Sequence, residues 1–188
     1  MSVFIFLTSF LPSHQLTAQA RAANYTFELD RILAAEGDTN VYVQYTHARI
    51  CSILRRANAR VAGGDCVGAI HERTHVGVGG ESVRLEHAAE IALAAELLRY
   101  GEVVTSAEAA LAPHHLCELL HSVAARVSSF LSQCHVLPKE RGGGGSADGV
   151  RCLTDDATTA SRLVLIDATA VTMRRLMRLL GITPVERL

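Results

Sequence analysis

Val41-Tyr42-Val43-Gln44-Tyr45-Thr46-His47-Ala48-Arg49-Ile50-Cys51-Ser52-Ile53-Leu54-Arg55-Arg56 sorts its residue types onto separate faces once it is wound as a helix. At about 100° per residue, Val43, Ile50, Ile53, Leu54, Ala57 and Val61 gather on one side. Tyr42, Tyr45, Arg49, Ser52, Arg56 and Arg60 form a second stripe, roughly 80° wide, on the other. No Asp or Glu occurs between Thr39 and Gly64, so nothing on this stretch neutralises the arginines. One face is suited to burial. The other joins aromatic rings to a phosphate-attracting field, a combination that suits unstacked RNA bases. The same pattern also describes an ordinary helix boundary, where tyrosine rings half bury and arginines form a solvated face.

Working outward, Gly37 stops a short predicted helix from Thr26 through Ala35, and Asp38 or Thr39 caps the long one. Its apolar positions are Phe27, Leu29, Ile32 and Leu33. Beyond the stretch, 62–80 is a glycine-rich loop. A third helix is predicted from about Ser82 to Tyr100, with Leu85, Ala89, Ala92, Leu93 and Leu97 as its apolar stripe. A short helix follows near Ser106–Leu111, and Pro113 opens the first turn of another that runs through about Cys134. Arg141-Gly142-Gly143-Gly144-Gly145-Ser146 reads as an insertion or linker within 138–150. The last helix runs from about Thr158 to Leu180 and is stopped by Gly181, with Pro184 three residues on. Six helices and no convincing strand pair predict an all-α bundle.

Composition agrees. The 188 residues suffice for one domain with a real core, and 49% hydrophobic with 20% charged residues is a globular balance. Aromatics make up 5% and Trp is absent, which favours helices packed through Ala and Leu over a β-sandwich. A formal net charge of -1 argues against indiscriminate nucleic-acid binding. That average conceals a division. Acids collect at Glu81, Glu86, Glu90, Glu96, Glu102, Glu108 and Glu118, while arginines collect in 49–60 and at Arg174, Arg175 and Arg178. Of the 18 basic residues only Lys139 is a lysine, a bias toward planar, bidentate contacts. Five cysteines (Cys51, Cys66, Cys117, Cys134, Cys152) include no C-x-x-C, and a reducing compartment is the simpler reading.

One metal motif occurs literally: His71-Glu72-Arg73-Thr74-His75 is an H-E-x-x-H. It is bracketed by Gly68 and Gly77, too close for a stable isolated helix, and a third ligand is also needed, for which Glu90 and Glu96 are no more than candidates by count. A chance match in a glycine-rich loop is the simpler explanation. His114 and His121 share a helix face but lie roughly 10 Å apart in rise, too far to ligate one ion. There is no phosphate loop, no G-x-S-x-G and no defensible nucleophile–base pair, so no catalytic or metal-ligating residue is assigned. Near the N-terminus, Val3-Phe4-Ile5-Phe6-Leu7 followed by Ala18-Gln19-Ala20 imitates a secretion signal. No positive charge precedes the run, and it is too short to span a bilayer.

Several of these segments together resemble one family. Tyr25-Thr26-Phe27, Gly37-Asp38-Thr39 and Tyr42 through Arg49 resemble the start of the C-terminal, DALR-type anticodon-binding domain of arginyl-tRNA synthetases. Glu90-Ile91-Ala92-Leu93 with Leu97 through Val104 is similar to the family's next helix and turn. Pro113-His114-His115-Leu116-Cys117 and Ser128-Ser129-Phe130 match the following one. Arg162-Leu163-Val164-Leu165 and Leu179 through Leu188 look like the family's ending. The resemblance runs in order through 23–188, with insertions at 62–80 and 138–150. It implies an all-α domain of about six helices that reads the anticodon loop of arginine tRNA.

Carried over residue by residue, the resemblance implies anticodon contacts from Tyr42, Tyr45 and Arg49, with Arg56 further along the same stripe. It also brings the C-terminal Val185-Glu186-Arg187-Leu188 near the loop, so Leu188 joins the expected contacts. The family often ends in Met where this chain has Leu188, and often has a tyrosine where this chain has Phe130-Leu131. Its catalytic domain, with an H-x-G-H-type motif and an ATP-binding loop, is not in the sequence. Residues 1–22 stand where it would join, and Met1–Ala20 is accordingly expected to reflect a truncated or misassembled gene rather than a signal. The expectation is therefore a chain that binds arginine tRNA without aminoacylating it. ATP and magnesium are implied for the full enzyme but not for this chain, and neither DNA nor a membrane is implied as a partner. Use in the cytoplasm is expected, with organellar use left open. The alternative is a standalone helical binding module that kept the fold and lost the tRNA task.

Overall fold

A computed structural model describes residues 40–60, 65, 68, 83–137 and 157–187. Five helices lie among them: α1 Asn40–Ala59, α2 Ala88–Leu98, α3 Tyr100–Ala110, α4 His114–Gln133 and α5 Ala157–Leu179. No strand occurs among the described residues, and the all-α class holds. The helix expected at 26–35 lies outside them, as do the insertions at 62–80 and 138–150 apart from Asp65 and Gly68.

α4 is the central helix and touches the other four. Leu116, Leu119, Leu120, Val123, Ala124, Val127 and Phe130 recur at helical spacing along it, and all are buried. Burying side chains of this size is worth about 1.5–3 kcal/mol each, so this stripe is the main cause of the fold. Leu163, Ile166, Met173, Leu176 and Met177 of α5 and Val43, Ile50, Ile53 and Ala57 of α1 close the core around it. Cys51, Cys117 and Cys134 are buried free thiols, in keeping with their apolar neighbours.

Two helix boundaries depart from the sequence expectation. α2 begins at Ala88 rather than Ser82, because His87 caps it. The ring Nδ1 of His87 accepts from the Ala89 N–H at 3.1 Å, and Glu90 Oε2 accepts from the His87 N–H at 3.0 Å and the Glu86 N–H at 2.9 Å. These reciprocal bonds satisfy amides that a longer helix would have used, so the helix starts there. The chain then turns at Arg99 and re-enters a helix at once, so α3 is eleven residues rather than a short piece near Ser106–Leu111. α3 ends on Leu111 in the left-handed conformation (φ 49°), with the Ala112 N–H returning to Ala107 O at 2.9 Å. α5 ends as predicted on Gly181 (φ 74°), with the Ile182 N–H on Met177 O at 2.8 Å and the Gly181 N–H on Arg178 O at 3.0 Å. This turn sends residues 182–187 back toward α1.

Glu90 also ties α2 to α5. Its Oε1 accepts from Arg162 Nε at 2.6 Å, and Arg162 Nη1 donates to His135 O at 2.9 Å. Burial alone would raise the Glu90 carboxyl, but the His87 N–H, the Arg162 guanidinium and the Glu86 N–H together hold it below its ordinary value.

Candidate nucleic-acid interface

α1 is covered on two of its three sides. The first carries Val43, Ile50, Ile53 and Ala57 into the core, as the periodicity predicts. The second carries Gln44, His47 and Cys51, all buried, with Arg55 at its margin. Residues 183–186 lie along this second side. Gln44 Nε2 donates to Thr183 O at 2.9 Å, and Gln44 Oε1 accepts from the Val185 N–H at 2.9 Å. His47 Nδ1 lies 2.9 Å from Val185 O. A carbonyl can only accept, so Nδ1 carries the proton and Nε2 is left facing the Cys51 thiol at 3.7 Å. Arg55 Nη1 donates to Glu186 O at 2.7 Å, and Arg174 Nη2 lies 3.6 Å from Glu186 Oε1.

Burial holds the His47 imidazole below its ordinary value. The Val185 hydrogen bond and the Glu186 charge oppose that shift, and the Arg174 charge adds to it. Burial likewise pushes the Cys51 thiol up. Both groups are therefore neutral at physiological pH, as a covered helix side requires.

Only the third side faces water. Tyr45 is 53% exposed, and Arg49 and Arg56 are exposed beside it. Tyr42 shares the stripe but is half-buried and anchored. Its hydroxyl makes a 3.2 Å bond to Ala124 O and a 2.9 Å bond to Ser128 Oγ. With both bonds formed, its one proton goes to the carbonyl and the serine donates to it. The structure thus groups Tyr45, Arg49 and Arg56 at the surface and places Tyr42 at the edge of the core. Leu188 lies outside the described residues. Phe130 is fully buried on α4.

Beside residues 181–186 lies an open recess of about 380 Å³, lined by Arg174, Arg178, Gly181, Ile182, Thr183, Pro184 and Glu186. Two guanidinium groups and a carboxylate give it donors and an acceptor. The sequence reading missed Gln44, His47 and Arg55. Measured from Tyr45 at about 100° per residue, they fall roughly 200–280° around the helix, between its two stripes. The H-E-x-x-H at His71–His75 lies outside the described residues. Of its candidate third ligands, Glu90 is held by Arg162 and two backbone amides, and Glu96 pairs with Arg99 at 2.6 Å. Among the described residues no three His, Cys, Asp or Glu gather where an ion could sit. No described helix is long and apolar enough to cross a membrane.

Residues 43–188 match the DALR anticodon binding domain. Over 168 residues the chain is 39% identical to the cytoplasmic arginine–tRNA ligase of Arabidopsis thaliana, covering 89% of this chain and 23% of that protein. It is equally, 39%, identical over 168 residues to that plant's chloroplastic/mitochondrial arginine–tRNA ligase, with 89% and 22% covered. Its fold is similar to part of the arginyl-tRNA synthetase of Thermus thermophilus, with a TM-score of 0.67 at 24% identity over 97% of this chain and 27% of that one. The chain spans about a quarter of the length of these relatives.

Proposed function

The chain belongs to the DALR anticodon binding domain family, and on that footing we propose that it is the tRNA-binding part of an arginine–tRNA ligase and contacts the anticodon loop of arginine tRNA. The observation that carries this reading is the exposed side of α1. Its other two sides are filled by the core and by residues 183–186, and what remains is a ring and two guanidinium groups in a row. A splayed base stacks on Tyr45, and Arg49 and Arg56 pair with phosphate or a base edge. Tyr42, with its hydroxyl engaged, offers only the exposed part of its ring. Leu188 is proposed as a further contact from the C-terminal end.

The full enzyme would join arginine to its tRNA with ATP and magnesium. No described residue is assigned to either, and this chain by itself is proposed to bind tRNA without charging it. We propose the cytoplasm as its compartment, with an organelle as the alternative that the relatives' own compartments support. Measured affinities for arginine tRNA and for a noncognate tRNA test the proposal. Preference for arginine tRNA supports it. Equal, weak binding of both would favour a standalone helical module that kept the fold alone.

A further inference from the structure

Residues 183–186 are held to α1 through their backbone rather than through their side chains. The Gln44 amide bonds to this segment on both its faces, donating to Thr183 O and accepting from the Val185 N–H. His47 takes the other polar group of Val185, its carbonyl, and Arg55 takes the carbonyl of Glu186. Both backbone groups of Val185 are thus satisfied by α1 side chains 138 and 141 residues away. Such bonds fix the path of a backbone without depending on what side chains it carries. The segment so fixed forms one wall of the recess that holds Arg174 and Arg178, and it brings Glu186 to Arg174. On the helix, only about 60° separates Arg55 from Ser52 at the edge of the exposed stripe. The latched segment and the stripe are neighbouring parts of one surface.

We propose that Gln44 and His47 are positioning residues for RNA binding. They hold residues 183–186 as a preformed second wall beside Tyr45, Arg49 and Arg56, with Arg174 and Arg178 presented toward the RNA backbone. The proposal rests on the tRNA-binding reading given above. Its physical basis is preorganisation: a segment already fixed in the free protein loses no further freedom when RNA arrives.

The test is a double-mutant cycle on the whole chain with an arginine tRNA as probe, joining Gln44→Ala to deletion of residues 183–188. Gln44→Ala should weaken binding about tenfold, the scale of one or two lost hydrogen bonds. The deletion should weaken it at least as much, and adding Gln44→Ala to the deletion should change nothing further. Hydrogen exchange at the Val185 amide should speed up in Gln44→Ala. His47→Asn, whose side-chain N–H can stand in for Nδ1–H, should retain more affinity than His47→Ala. Gln44→Glu, which keeps an acceptor for Val185 but sets a carboxylate against Thr183 O, should weaken binding while the helical circular-dichroism signal stays at the wild-type level. Wild-type affinity in Gln44→Ala, or an undiminished Gln44→Ala effect in the deleted chain, would overturn the proposal. Tyr45→Ala and Arg49→Ala run alongside separate the two readings. If they too bind like wild type, the tRNA reading falls with the latch. If they weaken while Gln44→Ala does not, only the latch falls.

Discussion

Glu90 and Arg162 meet at 2.6 Å across the α2–α5 contact, the carboxylate 2% exposed and the guanidinium 21%. The same carboxylate caps α2 through two backbone amides, so one side chain sets where a helix starts and which helix it packs against. Arg162→Ala leaves that carboxylate buried with only its amide donors. It should destabilise the fold by about 3 kcal/mol, the scale for removing one member of a buried pair. Urea unfolding of the variant checks this, and a loss under about 1 kcal/mol would show the amides sufficient alone.

Acid should weaken the fold in two stages. Burial lowers the His47 value, so the unfolded chain takes up its proton first, near its ordinary pKa of about 6.5. Stability therefore declines as pH falls below that point, until the folded imidazole also protonates. The Glu90 carboxyl is likewise held low, so its contribution is whole above the ordinary carboxylate pKa of about 4.3 and is lost as pH falls through its lower folded value. Thermal midpoints measured from neutral to acid pH should show both declines. His47→Asn should abolish the first and spare the second.

Tyr45→Ala and Arg49→Ala should each weaken arginine-tRNA binding by about 1–3 kcal/mol, the range for a lost stacking platform. Raising salt should weaken the wild type more steeply than Arg49→Ala, because the variant has one phosphate partner fewer. Filter binding across a salt series reads both effects.

Tyr42→Phe separates anchoring from stacking at the position beside it. The ring is kept while the bonds to Ala124 and Ser128 are lost. Unfolding free energy should drop by about 1 kcal/mol and RNA affinity should hold. A large loss of affinity with no loss of stability would mean that the hydroxyl itself faces RNA.

Leu111 sits at φ 49° with 68% of its surface exposed, so little packing offsets the left-handed backbone. Leu111→Gly should raise stability by about 1 kcal/mol, and Leu111→Ala should not, since alanine meets the same steric penalty. Thermal unfolding of the pair decides it.

Much of this architecture is written in local pattern. The apolar spacing of α4 and α5, Pro113 before α4 and Gly181 after α5 are each recognisable within a few residues. So is the exposed row of Tyr45, Arg49 and Arg56, because a helix separates faces by arithmetic alone. The start of α2 was less legible. His87 is an unusual cap, and only the bonds it exchanges with Glu90 and Ala89 reveal it. A helix end near Leu111 is expected from the sequence and is found there, but its left-handed backbone is not foreseeable, since nothing in leucine's chemistry favours φ above zero. The burial of Gln44 and His47 was hidden for a different reason. Their partners are backbone groups of residues 183–185, and backbone groups leave no trace in a sequence. The anchor of the Tyr42 hydroxyl was hidden for the same reason, its partner at Ala124 being a carbonyl.

The latch also has a consequence for synthesis. Gln44 and Thr183 are 139 residues apart, so α1 leaves the ribosome long before anything exists to cover its second side. At about 5–20 residues per second the wait is on the order of 10 s, far longer than a helix needs to form. Throughout it, Gln44 and His47 stand open beside the very face proposed for RNA. A nascent chain stalled before Thr183 would therefore present a looser surface than the finished one. The synthesis of residues 183–186 is what finishes the site.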